Sequence, residues 1–207
     1  MDGERQYRSA IVEAGRRLAR RNLIVAAEGN LSVRLGGDLF LTTPAGCEKD
    51  HLDEADLVVV DLDGRPQGNG RRPSSEWGLH REIYLQRPDL AAICHAHPPY
   101  ALAFAVARRR IPTTLMPEAV VVLGEDVPVA PYATPGSDEV AASIREVIPR
   151  HDVLLLANHG AVACARDLAT AVQRMETLER VAEVALLAAP LGGGVRLTRH
   201  DVRKLGR

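Results

Sequence analysis

A pair of serines followed by the carboxylate of Glu76, and the histidines His95 and His97 two residues apart, fall close together between Pro73 and Pro98, in the run PSSEWGLHREIYLQRPDLAAICHAHP. His95 and His97 end a short apolar run, residues 90–97, that Pro98 and Pro99 close. On an extended strand, residues two apart project from the same face. Both imidazoles would therefore point the same way. That spacing suits two ligands of one metal ion, because zinc–nitrogen bonds of about 2 Å need converging nitrogens. A lone histidine in such a place is more often a satisfied core residue. A His-x-His that ends a buried strand, beside a helix opening with Ser74-Ser75-Glu76, is better explained as a metal site.

His159 follows the most apolar stretch of the chain, residues 153–157, and Gly160 after it leaves room for a close backbone approach. Together with His95 and His97 it makes a three-histidine set, leaving Glu76 or water for a fourth position. Three protein ligands plus an exchangeable position is the pattern of a catalytic rather than a structural zinc. His51, His80, His151 and His200 lack comparable settings and read as surface or core histidines. Gly29-Asn30 and Pro44-Ala45-Gly46 are small-residue turns at strand ends, and Ser74-Ser75 sits at a helix start. Singly each is more often a plain turn or cap. Together they could cradle a phosphate with backbone N–H groups, one amide side chain and two hydroxyls. Neither a Walker-type G-x-x-x-x-G-K-[ST] nor a Rossmann G-x-G-x-x-G occurs, so nucleotide binding has no positive support.

The elements that must position these groups follow from periodicity and punctuation. Residues 4–22 carry Ile11, Gly15, Leu18 and Ala19 on one face, an amphipathic helix. Strands are expected over 31–35 and 39–43, joined by the hairpin Gly36-Gly37-Asp38, then over 57–62. A loop over 68–72 leads to a helix with Ser74 or Ser75 as N-cap, Glu76 in its first turn, and an end near Arg87 before Pro88. Residues 101–106 read as a helix, with Arg108-Arg109-Arg110 as its solvated end. Residues 115–123 are ambiguous, 127–132 a short strand, and 136–147 a helix. The strand over 153–157 runs into Asn158-His159-Gly160, and Asp167 caps a helix to about Ala189. Hairpins followed by mixed strands and helices predict an α/β fold of three α/β/α layers, a mixed and largely antiparallel sheet covered by helices on both faces.

The 207 residues fit a single domain spanning 1–207, with 46 % hydrophobic and 26 % charged residues. Two Phe and one Trp leave the core to Ala, Val, Leu and Ile. A formal net charge of −1 argues against a general nucleic-acid binder. The widely spaced Cys47, Cys94 and Cys164 suggest a reducing compartment rather than a disulfide framework. With no apolar leader and no run of membrane-spanning length, the expected location is cytoplasmic, with neither membrane nor nucleic acid as partner.

In their order and spacing, these pieces resemble the class II aldolase/adducin family over nearly the whole chain. The matching residues are GNLSVR at 29–34, TPAG at 43–46, PSSE at 73–76, HAH at 95–97, APYAT at 130–134 with Gly136, and NHG at 158–160. The resemblance implies one zinc ion per chain, or another divalent metal, on His95, His97 and His159. Glu76 would be the acid/base and could also occupy the metal. Gly29, Asn30, Ala45, Gly46, Ser74 and Ser75 would hold a substrate phosphate. It further implies a homotetramer with sites near subunit interfaces, and cleavage of a ketose 1-phosphate such as L-fuculose 1-phosphate to dihydroxyacetone phosphate and an aldehyde. Epimerisation, dehydration or decarboxylation of related sugar phosphates could use the same chemistry, and the adducin branch offers a non-catalytic interaction domain. Three departures stand out. Leu115 and Met116 occupy the neighbourhood after Ile111-Pro112 where such an aldolase has a tyrosine proton donor, with Glu118 a candidate substitute. The C-terminal HDVRKLGR lacks the tyrosine expected there, and Ala45 replaces a hydroxyl residue. A metallo-hydrolase reading fails because no acid follows His97-Pro98 in the H-x-H-x-D-H manner.

Overall fold

The computed structural model describes residues 2–68 and 70–206; Met1, Arg207 and Asn69, the last within the loop expected over 68–72, lie outside the described residues. Helix α1 (Asp2–Arg20) buries Ile11, Val12, Ala14 and Leu18 and leaves Arg16, Arg17 and Arg20 in solvent. Strands β1 (Asn30–Gly36), β2 (Leu39–Thr42) and β3 (Val58–Asp61) form an antiparallel meander. Helix α2 (Trp77–Gln86) leads to β4 (Ala92–Ala96), and α3 (Pro99–Val106) follows directly. Next come α4 (Pro117–Leu123), β5 (Val129–Ala130), α5 (Asp138–Ile144), β6 (Val153–Leu156), β7 (Gly160–Ala165), α6 (Leu168–Ala188) and α7 (Arg199–Lys204). The sheet order is β3-β2-β1-β4-β7-β6-β5, antiparallel throughout except for the β5–β6 pair.

Alternation along the strands divides the core into two layers. Leu31, Val33, Leu41, Cys94 and Ala96 point to the side of α1, α3, α4 and α6, where Ile11, Leu18, Ala101, Ala119, Met175 and Leu178 meet them. Phe40, Ile93, Leu154, Val162 and Cys164 point the other way, onto Leu79, Ile83 and Tyr84 of α2 and Val140 and Ile144 of α5. A sheet with apolar side chains on both faces has to be covered twice, and the three-layer α/β fold follows. β4, at the centre, is buried along its whole length. Among the described residues no helix is long and apolar enough to cross a membrane.

Several boundaries differ from the sequence reading. The expected first-turn residue Glu76 is the N-cap of α2, and its side chain makes no capping bond. Ser74 Oγ instead accepts the Glu76 N–H at 3.3 Å, and the Trp77 N–H donates to the Ser74 carbonyl. The carboxylate is thereby left free to turn inward. Residues 115–123 resolve into a 3-10 turn ending at Leu115 and a helix with Pro117 in its first turn, where proline's missing N–H costs nothing. Helix α5 stops at Ile144, short of the expected Val147, and a 3-10 turn at Ile148–Arg150 follows. The strand expected over 127–132 is only two residues long. Helix α7 adds a C-terminal element beyond the expected ones, started by a capping box of Thr198 with Asp201.

Candidate active site

Three chain segments bring the histidines together. His95 lies within β4, paired with Asn30 of β1 on one side and Val162 of β7 on the other, and is wholly buried. Its Nδ1–H donates to the Ala161 carbonyl at 2.9 Å, which fixes the tautomer and leaves Nε2 bare. His97 stands just beyond the strand, and its Nε2 is 3.3 Å from that of His95. His159 comes from the tight turn between β6 and β7. The three rings are mutually edge-on, with centroids 4.9 to 5.1 Å apart, and one nitrogen from each falls within 4.8 Å of the others. This approach depends on two glycines. A Cβ on Gly160 would lie 2.6 Å from the His97 ring and 2.7 Å from the Ala96 carbonyl oxygen, and one on Gly29 would lie 2.6 Å from the His95 carbonyl oxygen.

Glu76 faces this group from the start of α2. Its Oε2 is 3.0 Å from His95 Nε2, and its Oε1 is 3.0 Å from His159 Nε2. Burial pushes the carboxyl up, but the imidazoles of His95 and His159, when they carry a proton on the nitrogen facing it, outweigh that and hold it well below the usual carboxylate range. Burial, reinforced by the other two histidines, pulls His97 down to about 3. Oε1 is buried with no hydrogen-bond donor of its own. The site is thus a convergence of bare imidazole nitrogens and an anionic oxygen, all acceptors unless protonated. Such a donor set fits a divalent cation, and His95, His97 and His159 can hold one with Glu76 beside it.

Behind Glu76 runs a buried relay with only one consistent polarity. The carboxylate can only accept, so Asn30 presents Nδ2–H to Oε2, at 2.9 Å, and turns Oδ1 toward His80. His80 Nε2–H donates to that oxygen. Its bare Nδ1 then accepts from Ser32 Oγ at 2.6 Å, and Ser32 accepts from the Tyr84 hydroxyl at 2.8 Å. His80 is 1 % exposed, and burial pulls its pKa down to about 3, in keeping with a neutral ring. It is a core histidine, yet it orients Asn30. The signal available in the sequence was its position four residues after Glu76, on the same helix.

A cavity of about 210 Å³ opens over the histidines. Gly29, Asn30, Ala45, Gly46, Ser74, Ser75, Glu76, His97 and His159 all line it, while His95 lies beneath. The Ala45 N–H is already committed to the Arg72 carbonyl at 3.0 Å, so Ala45 offers an anion only shape, and Gly46, at φ +67, opens the turn beside it. Among the lining residues that the sequence did not single out are Glu28 and Lys49, while Gly136, from the segment matching the family, lines it too. Glu28 Oε1 lies 3.7 Å from His97 Nδ1. Glu118, the candidate substitute acid, is exposed in the first turn of α4 and is not among the lining residues.

The family profile described as "Class II Aldolase and Adducin N-terminal domain" matches residues 9–186. The chain belongs to this family. It is 35 % identical over 184 residues to a 5-methylthioribulose-1-phosphate/5-deoxyribulose-1-phosphate aldolase of Rhodospirillum rubrum, covering 88 % of this chain and 82 % of that one. It is 34 % identical over 178 residues to a 3-oxo-tetronate 4-phosphate decarboxylase of Haemophilus influenzae, covering 84 % of each. A solved L-fuculose 1-phosphate aldolase superposes with a TM-score of 0.88 at 34 % identity, over 96 % of this chain and 93 % of that one. Aldolases and decarboxylases are both lyases, and the chain is an enzyme of this class II, metal-dependent kind.

Two outcomes test the site. Replacing His95 and His97 together with Ala should abolish binding of divalent metal, read by elemental analysis, while circular dichroism still shows a folded α/β protein. Retention of metal by that variant would place the ion elsewhere. The second concerns His80, whose folded pKa of about 3 lies below its ordinary 6.5. The unfolded chain binds the proton first, so metal-free protein should lose stability as pH falls from about 6.5 toward 3. The His80 contribution to that slope is at most about 1.4 kcal/mol per pH unit and should disappear in His80→Gln, measured by urea unfolding across pH.

Proposed function

We propose that the chain, acting as one domain over 1–207, is a zinc-dependent aldolase cleaving a ketose 1-phosphate, such as L-fuculose 1-phosphate, to dihydroxyacetone phosphate and an aldehyde. The observation that carries this reading is the Glu76 carboxylate, wedged between His95 and His159 at the floor of a cavity whose rim is built from Gly46, Ser74 and Ser75. When bound on His95, His97 and His159, zinc supplies a Lewis acid for the negative charge that develops on the substrate's carbonyl and adjacent hydroxyl oxygens.

The chain's own residues do the rest. In cleavage, the bond between C3 and C4 breaks as the C4 hydroxyl gives its proton to a water molecule, since no side chain of this chain is assigned to take it, and the electron pair stays on C3. Glu76 delivers a proton to that carbon, and in the condensing direction removes it. Asn30, held by His80, keeps the carboxylate aimed. The rim holds the phosphate and so keeps the reacting carbons in register with Glu76. A cytoplasmic, homotetrameric enzyme with no nucleic-acid or membrane partner is part of the same proposal, supported by three free cysteines and by the family resemblance.

A second reading is favoured by a specific observation. Leu115 and Met116 stand where an aldolase would place a tyrosine to handle the proton of the departing aldehyde oxygen. Decarboxylation of a 3-oxo acid phosphate releases carbon dioxide and leaves no such oxygen to serve. The same Glu76 would then protonate the same kind of carbanion, as in a 3-oxo-tetronate 4-phosphate decarboxylase.

The deciding experiment is a coupled assay of zinc-loaded protein over ketose 1-phosphates and 3-oxo acid 4-phosphates, scoring aldehyde against carbon dioxide. Phosphorylated substrates should turn over far faster than their unphosphorylated counterparts. Glu76→Gln should lower turnover by about 10²- to 10⁴-fold, the usual span for a general acid/base, with zinc retained. Unchanged turnover in Glu76→Gln would make the carboxylate a spectator.

A further inference from the structure

Lys49 is almost completely buried, at 2 % exposure, yet it lines the candidate cavity beside Gly46 and Ser74. The choice of residue is itself informative. Of 26 basic Lys and Arg residues only two, Lys49 and Lys204, are lysines, and the other sits near the C-terminus. Buried lysines normally have a carboxylate partner, since an uncompensated charge in the interior is costly. Among the described residues none lies within ion-pair distance of Lys49. Its Nζ donates instead to two backbone carbonyls, Ala27 at 2.8 Å and Cys47 at 2.9 Å.

Those two carbonyls belong to the two turns that form the cavity wall. Ala27 precedes Gly29-Asn30, and Cys47 follows Ala45-Gly46. An ammonium group has three donors, so one remains after both turns are tied together. Close packing keeps the lysine out of solvent: Gly15 of α1 lies so near that a Cβ there would be 2.7 Å from the Lys49 carbonyl oxygen. Burial pulls the Lys49 pKa down, while Cys47, Glu76 and Glu28 pull it up, in that order after burial. The Nζ thus sits in a dry setting with two backbone carbonyl dipoles as its nearest partners.

We propose that Lys49 is the cationic element of the phosphate subsite, holding the two turns in register and directing its remaining N–H and its charge at the bound phosphate. This rests on the phosphate-cradle part of the proposed function. It also supplies what the cradle otherwise lacks. Ala45 has no hydroxyl and no spare N–H, Asn30, Ser74 and Ser75 are uncharged, and the lining carboxylates Glu28 and Glu76 would repel an anion. A compact ammonium suits this role better than a guanidinium, because it serves as a point charge and needs no planar, two-pronged approach.

The test uses zinc-loaded full-length protein carrying ¹³C,¹⁵N-labelled lysine, which gives side-chain ε-methylene signals from Lys49 and Lys204 alone. Titration with inorganic phosphate should shift the Lys49 signal saturably and leave Lys204 in place. Lys49→Gln keeps a donor for the turn carbonyls but removes the charge. It should weaken phosphate binding, read by calorimetry, by about tenfold or more, on the scale of a charge-assisted hydrogen bond, with zinc content unchanged. If wild-type protein binds phosphate while the Lys49 signal stays still, or Lys49→Gln binds it as tightly as wild type, Lys49 only staples the turns and the proposal fails. If wild-type protein binds no phosphate at all, the cradle itself is overturned, and the role of Lys49 with it. The labelled wild type decides the matter even if the variant does not fold.

Discussion

Everything in the site depends on one carboxylate that is out of water and surrounded by acceptors. Glu76 brings a negative charge into a region walled by three imidazoles, where an unpaired charge would cost several kcal/mol. The fold offsets only part of that cost, with a single amide donor. One oxygen receives the Asn30 amide, and both face imidazole nitrogens that protons or a divalent ion must reconcile. The chemistry proposed for the enzyme uses the same tension, since a carboxylate held so close to a cation site is placed to trade a proton with a carbon bound there.

The sheet makes this arrangement by bringing residues distant in sequence to one end of adjacent strands. β4 lies between β1 and β7, so Asn30, His95 and the turn carrying His159 converge without any long loop. Helix α2 packs on the opposite face from α1, and its N-terminal end points Glu76 at that convergence. Close packing then becomes the constraint, because the histidines can approach only where Gly29 and Gly160 omit a side chain. The relay through His80, Ser32 and Tyr84 adds rigidity from behind. With a neutral His80 each hydrogen bond has one direction, and Asn30 cannot flip without leaving a buried acceptor facing the carboxylate.

What could be read from the sequence was whatever is encoded locally. His95 and His97 share a strand end and declare themselves by a spacing of two; His159 declares itself by the apolar run before it. The alternation of apolar residues along β1, β2 and β4 likewise predicts a sheet covered on both faces. Less visible were features set by contacts between distant segments. Two serines before Glu76 look like helix caps, but the backbone turns one residue later and frees the carboxylate for the histidines. His80 and Lys49 carry little local pattern, because Asn30 and Ala27, the partners that give them their roles, lie 50 and 22 residues away, where only the folded sheet brings them near. The loss of Ala45 as an amide donor has the same origin, since Arg72 takes its N–H across a loop.

The claim at the centre is that Glu76 moves a proton to and from the carbon beside the substrate carbonyl, and it can be measured without knowing the natural sugar. Zinc-loaded protein is incubated with dihydroxyacetone phosphate in deuterium oxide, and loss of the hydroxymethyl proton signal is followed by NMR. The account predicts protein-dependent exchange by the wild type, with Glu76→Gln slower by about 10²-fold or more at equal zinc content. Exchange at the same rate in both proteins, or none in the zinc-loaded wild type, would contradict it.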